Sequence, residues 1–197
     1  YLTPGFNDYD AYVRYQTYDV TDLISTENHL EVWLGNGWYR GRLGFDGGKD
    51  KRWGDRFLLA ARLEVSLKSG ETVVIETDES WMAAKSPLVD GGIYDGEIRD
   101  DTRESGEPVP CVIADHTYRL ESQASPCIRV KAERKGKLMV TPKGEQVLDF
   151  GQNMAGLIRF VNRLPKGGTM RIQTGEVLQG GNFYRDNLRT AKSEFVY

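Results

Sequence analysis

Apolar residues recur at every second position in short runs along this chain, and the runs are parted by turns that contain glycine. That period sets alternate side chains on opposite faces of an extended backbone, so it predicts half-covered strands in an all-β fold. The clearest run is Leu59, Ala61, Leu63, Val65 and Leu67, with Arg62, Glu64 and Ser66 between them. Lys68-Ser-Gly-Glu71 supplies a turn, and residues 72–77 return with Val73 and Ile75 on one side, which predicts a hairpin. Leu30, Val32 and Leu34 alternate with Glu31 and Trp33, and residues 12–18 alternate aromatic with polar side chains, so both segments are expected as strands. Residues 19–24 between them are expected to form one helical turn capped by Asp19 or Thr21. No segment carries the longer period of an extended amphipathic helix.

From Asp90 to Ser125 the pattern breaks into Gly, Pro, Asp and Ser, which reads as loop and linker. Alternation resumes at residues 128–131 and 146–150, then in two strands joined by Pro165-Lys-Gly-Gly168. In that pair Ile158 and Phe160 share one face, as do Met170 and Ile172. Residues 193–197 read as a final strand with no turn or cap behind it. The expected architecture is a jelly-roll-like β-sandwich over residues 1–105, a linker at 106–117, and the first part of a second, concanavalin-like sandwich at 118–197. Both ends read as cuts within a longer polypeptide, with room for opening strands ahead of Tyr1.

Charge narrows the partners. The net charge is -3, and the 26 Lys and Arg are scattered among 29 Asp and Glu, so no basic face for nucleic acid is expected. No apolar run approaches the roughly 20 residues of a membrane span, and Tyr1 to Tyr9 carry no leader pattern. A soluble chain is expected, its compartment open with the cytoplasm favoured. Cys111 and Cys127 match neither a zinc nor a redox spacing, so they are expected as free thiols or one incidental disulfide. His29 is expected at a strand edge and His116 in the linker, and no other histidine occurs. That scarcity argues against a transition-metal site and leaves only a hard cation held by oxygen ligands.

Candidate chemistry is sparse. Gly35-Asn-Gly-Trp-Tyr-Arg-Gly41 departs from the dinucleotide fingerprint, because its third glycine falls one place late and no helix follows. It reads as a tight turn on which Trp38 and Tyr39 either pack against the sandwich edge or present ring faces to a sugar. Paired carboxylates suit glycoside hydrolysis, so Asp95 with Glu97 and Asp100 with Asp101 were weighed. Nothing near them suggests the apolar pocket that raises an acid's pKa, and solvation or binding of a cation or sugar hydroxyls suits them better than catalysis. Asp149-Phe-Gly-Gln-Asn153 reads as a packing corner.

Three stretches in order nevertheless resemble one family. They are residues 16–24 with Asn28-His-Leu-Glu-Val-Trp-Leu-Gly-Asn-Gly-Trp-Tyr-Arg-Gly-Arg-Leu-Gly44; then Gly92-Ile-Tyr-Asp-Gly-Glu97; then Asp149-Phe-Gly-Gln-Asn-Met-Ala-Gly156 with Gly175-Glu-Val-Leu178, Asn182-Phe-Tyr184 and residues 187–192. Together they are similar to the two β modules of bacterial α-L-rhamnosidases. The resemblance implies a parent glycoside hydrolase that removes terminal α-linked L-rhamnose with inversion. Its acid and base lie on a helical barrel beyond these modules, so no catalytic residue is placed here and this piece alone is expected to be inactive. The implied partners are L-rhamnose-containing glycosides and the barrel of the same polypeptide, which the modules would buttress.

Some family members bind rhamnose through Ca2+ on a related sandwich, using an Asp in a loop like Tyr94-Asp95. Asp95 is therefore the candidate for calcium and sugar, with Trp38 and Tyr39 as sugar-binding candidates; no other cofactor is implied. A free-standing carbohydrate-binding or adhesion module is the alternative.

Overall fold

The computed structural model describes residues 4–44, 47–115 and 117–197, and the expectation for His116 lies outside them. Among these residues the secondary structure is strand, with 3-10 turns at Thr21–Leu23 and Asp186–Leu188 and no α-helix. The expected turn is the first of these, but its N-cap is Val20, which makes no side-chain cap; Asp19, one residue earlier, accepts from the Thr21 amide at 3.0 Å.

β1 (Val13–Tyr15) lies parallel to β8 (Leu120–Ser122). The predicted hairpin is β2 (Arg62–Ser66) with β3 (Thr72–Glu76), antiparallel with Val65 opposite Val73. Its turn uses Gly70 at φ 88, a left-handed position that a side chain would strain. β4 (Met82–Ala83) pairs with β7 (Val109–Pro110), β9 (Lys137–Val140) with β10 (Gln146–Asp149), and β12 (Val177–Gln179) with β13 (Asn182–Tyr184).

The widest sheet joins both halves of the sequence. β5 (Leu88–Gly92) turns back into β6 (Gly96–Arg99), β6 lies parallel to β14 (Glu194–Val196), and β14 is antiparallel to β11 (Arg171–Gln173). The order is β11-β14-β6-β5. The final strand, which the sequence shows with no turn or cap behind it, is thus held by a neighbour on each side.

Other local expectations also change. The stretch from 90 to 125, read as loop, carries β6, β7, β8 and the end of β5. These strands are short, and Leu88-Val-Asp-Gly-Gly92 has no alternation to reveal it. Conversely, residues 30–34 and 128–131 form no ladder, and of the two strands foreseen around 165–168 only the second forms, as β11. Alternation specifies two faces, but a strand also needs a neighbour to accept its amides. Trp33 is held instead through its side chain, with the Arg99 guanidinium 5.5 Å from its ring centre. His29 sits on this unladdered stretch, 3.9 Å from Glu31. Cys111 and Cys127 are free thiols.

The densest packing is aromatic. Tyr9, only 8% exposed, meets the edges of Tyr39 at 5.3 Å and Trp53 at 5.1 Å. Phe6 bridges Trp53 to Trp38, and Trp38 reaches Tyr94 at 6.4 Å. Such edge-to-face pairs match the positive rim of one ring to the negative face of the next. This chain of rings fastens the segment 36–42 to the tip of the β5–β6 hairpin.

Candidate functional site

The hairpin tip is Ile93-Tyr94-Asp95, closed by Gly96 at φ 92. Asp95 projects from it toward the turn at 36–42. That turn is wound by its own backbone, the amides of Arg40 and Gly41 both donating to the Asn36 carbonyl at 3.0 and 3.2 Å. It is also pinned to β5, where Asn36 Nδ2 donates to Asp90 Oδ1 at 2.8 Å.

Directly after the turn comes Arg42, which the sequence reading did not single out. Its Nε and one terminal nitrogen fork onto the two Asp95 oxygens at 3.2 and 2.6 Å. The remaining donors reach the Gly47 carbonyl at 3.0 Å, Thr190 Oγ1 at 2.9 Å and the Thr190 carbonyl at 2.7 Å. The backbone of the C-terminal segment closes around the same hairpin. Lys192 N donates to Asp95 Oδ1 at 3.4 Å, Ser193 N to the Tyr94 carbonyl at 3.0 Å, and Glu194 N to the Asp95 carbonyl at 3.1 Å. Arg185 supports this segment through the carbonyls of Thr174 and Ser193.

The Arg42 and Asp95 side chains are only 16% and 27% exposed. The guanidinium fork, helped by the Lys192 amide, holds the Asp95 carboxyl below its ordinary pKa despite partial burial. The same contact raises the pKa of Arg42. A cleft of about 490 Å3 opens beside the pair, with Arg40, Lys51, Asp90 and Lys192 on its walls.

The Asp95 carboxylate is already engaged, which bears on the calcium expectation. A hard dication wants six to eight oxygens. Here both Asp95 oxygens are engaged by a fixed cation, and among the described residues no group of three or more Asp, Glu, His or Cys could hold a metal.

The structure separates the three sequence candidates. Asp95 faces the Arg42 cleft. Trp38 is held edge-on between Phe6 and Tyr94. Tyr39 lines another cleft, its hydroxyl 3.1 Å from that of Tyr118. Burial and that neighbour push the Tyr39 phenol up to about 12, so it remains protonated at neutral pH. Of the remaining carboxylates considered, Asp100 accepts from Thr102 and Asp101 pairs with Arg99 at 2.8 Å.

Breaking the fork has a readable consequence. Asp95→Asn is expected to lower stability by about 1–2 kcal/mol at pH 7, given a bidentate pair that is partly buried. Because the folded pKa is depressed, this contribution is complete above the unfolded carboxyl value of about 3.9 and is lost as pH falls through the folded value. Thermal melts of both proteins should therefore differ at pH 7 and draw together only as the pH falls below the unfolded value and through the depressed folded one. Equal melting at pH 7 would remove the fork as a stabilising element.

The geometry defines a class: all-β modules joined by a shared sheet and a charged clamp. Sequence comparison supplies the family. The profile of the α-L-rhamnosidase N-terminal domain matches residues 1–130, and that of the bacterial α-L-rhamnosidase concanavalin-like domain matches residues 139–197. The chain belongs to the bacterial α-L-rhamnosidase family. It is 32% identical to an α-L-rhamnosidase of Streptomyces avermitilis, aligning over the whole chain and 20% of that protein. An α-L-rhamnosidase of Alteromonas sp. is also 32% identical, over 98% of this chain and 22% of the relative.

Among solved structures, the native Aspergillus terreus α-L-rhamnosidase superposes with a TM-score of 0.80 at 31% identity, over 98% of this chain and 24% of that one. The Streptomyces avermitilis enzyme complexed with L-rhamnose gives 0.84 at 30%, over 99% and 20%. The chain thus spans about a fifth of the length of the curated relatives it matches. No helix among the described residues is long and apolar enough to cross a membrane.

Proposed function

We propose that this chain is the non-catalytic β part of a longer α-L-rhamnosidase that hydrolyses terminal α-L-rhamnose from glycosides, and that its two modules buttress the catalytic barrel of that polypeptide. The observation that carries this reading is the joint between the two matched regions. β14 of the concanavalin-like match lies in register against β6 of the N-terminal match, and Arg42 clamps Asp95 and Thr190 across the same seam. A joint of paired backbone and a forked ion pair suits a rigid support better than a tethered binding module.

Exposed apolar side chains point the same way. Leu138 and Val140 on β9 are 61% and 65% exposed, and Leu148 beside them on β10 is 56% exposed. Apolar faces of this kind mark where further protein packs, and the rest of the parent polypeptide is the occupant proposed. The full-length Arg42→Ala enzyme is expected to keep its kcat on an aryl α-L-rhamnoside at 25 °C but to lose activity several-fold faster on heating. Heat inactivation at the wild-type rate would count against the support role.

A carbohydrate contact at Asp95, with Trp38 and Tyr39 as aromatic candidates, is part of the proposal. Since Arg42 already neutralises Asp95, L-rhamnose binding measured by calorimetry should be the same with calcium or with chelator, and weakened by Asp95→Ala. A calcium-dependent isotherm would contradict this account of the site.

A further inference from the structure

The Arg42–Asp95 cleft holds more charge than the fork uses. Its walls bear four cations, Arg40, Arg42, Lys51 and Lys192, and three carboxylates, Asp50, Asp90 and Asp95. Each carboxylate is accounted for. Both Asp95 oxygens go to Arg42. Asp90 Oδ1 accepts from Asn36 Nδ2 at 2.8 Å and from the Gly91 amide at 2.9 Å. Asp50 is exposed and adds its charge to the field on Arg42.

The other three cations are not matched in this way. Among the described residues Arg40, Lys51 and Lys192 enter no ion pair. Lys192 acts on Asp95 through its charge and its backbone amide alone. The Arg40 guanidinium lies 3.9 Å from the Phe57 ring centre, and its Nε is buried with no hydrogen-bond partner. Such an orphan is uncommon in a folded protein, and a bound ion is one physical reason for it. Unpaired like charges around one cleft also repel, and a counter-ion between them relieves that repulsion.

The backbone beside the cleft is unusual too. Among the described residues, the non-glycine positions with left-handed φ are Lys51 at 55, Arg189 at 58 and Ser193 at 43. Lys51 lines the cleft, and the other two bracket the segment that brings Thr190 and Lys192 to it. Conformations of this kind cost energy and persist where the surrounding structure enforces them, ligand clamps included. The donors come from both matched regions, Arg40 and Lys51 from the first and Lys192 from the second. An anion among them would span the seam that β6 and β14 form.

We propose that this cleft binds a dianionic oxyanion of the sulfate or phosphate class, held by Arg40, Lys51 and Lys192 across the joint of the two modules. Guanidinium and ammonium donors suit such a group, because charge-assisted hydrogen bonds to its oxygens are short and strong. The inference goes beyond the carbohydrate reading and does not need it, since Arg42 already occupies the Asp95 carboxylate.

The test titrates the 197-residue chain at neutral pH with sodium sulfate, sodium phosphate, phenyl phosphate and sodium acetate, with ionic strength held constant by sodium chloride. Calorimetric heat and the thermal melt are read. Saturable binding of sulfate and phosphate is expected, with a melting temperature that rises and then levels off as the site fills. Lys192→Gln and Lys51→Asn should each weaken binding roughly fivefold or more, asparagine being chosen because it tolerates left-handed backbone. Lys68→Gln, in the β2–β3 turn, should leave binding unchanged. Lys192 is exposed, so an unchanged anion-free melt of Lys192→Gln will show that the loss is local. Phenyl phosphate separates the two sources of the group: tighter binding than phosphate assigns it to an ester, and equal or weaker binding to the free ion. A melting temperature that climbs linearly with sulfate, without saturable heat, would overturn the site, because exclusion of the salt from the surface does that alone. An equal loss from Lys68→Gln would reduce the effect to diffuse charge and overturn it likewise. Acetate bound as tightly as sulfate would overturn the dianion assignment.

Discussion

Gly96→Val is expected to destabilise the protein by about 3 kcal/mol, combining a left-handed backbone position with a steric collision. Gly96 sits at φ 92, where a β-branched residue is strained. A Cβ built there would lie 2.0 Å from the Glu194 carbonyl oxygen and 2.8 Å from the Glu194 nitrogen. Both atoms are backbone, so no side chain can swing aside to make room. The only relief is to move β14 away from β6, and that opens the ladder joining the two modules.

For a chain of this size, each kcal/mol shifts the melting temperature by roughly 2–4 °C, so a fall of about 6–12 °C should appear by circular dichroism. Amide exchange should accelerate most at Glu194 to Val196. Gly92→Ala is the control, since Gly92 pairs with Gly96 in the hairpin yet a Cβ there meets nothing within 4 Å. A melting temperature for Gly96→Val within a degree or two of the control would show that the strand pairing contributes little.

This joint also lies beyond what local sequence pattern encodes. The β2–β3 hairpin is legible because both strands and their turn lie within one continuous run, Arg62 to Glu76, and Val65 opposite Val73 follows once Gly70 is seen as the turn. The all-β class follows from the same period. Nothing local announces that β6 takes a parallel partner from the C-terminal segment, because parallel neighbours need no shared turn.

Arg42 was missed for a related reason. Its partners Asp95 and Thr190 lie 53 and 148 residues away, and an arginine after a glycine carries no signal of either. Leu30–Leu34 shows the reverse: its alternation marks which side chains share a face, yet no neighbouring strand pairs with it. Asp95 is legible as a carboxylate and its loop through the resemblance, but neither gives its partner. The fork that engages both of its oxygens is a property of the folded chain.

The other large effect concerns catalysis. The purified 197-residue chain is expected to leave an aryl α-L-rhamnoside untouched, with release of the aryl alcohol indistinguishable from buffer. Inverting hydrolysis needs a carboxylic acid still protonated near neutral pH and a second carboxylate about 6.5–9.5 Å away to activate water. A protonated acid requires a raised pKa, set by an apolar site or a neighbouring negative charge.

Among the described residues, every carboxylate whose pKa moves is shifted down. Asp19, Asp78 and Asp100 accept from a hydroxyl and an amide two residues on. Asp95 is held by Arg42, and Glu145 by the Phe183 amide and the Thr141 hydroxyl. These are carboxylates stabilised as anions, the opposite of what a proton donor needs. The decisive comparison places the chain beside the longer α-L-rhamnosidase proposed above at equal molar concentration, across pH 4 to 8. Turnover by the chain that is abolished by substituting one of its own Asp or Glu residues would place the chemistry in these modules and overturn their reading as non-catalytic.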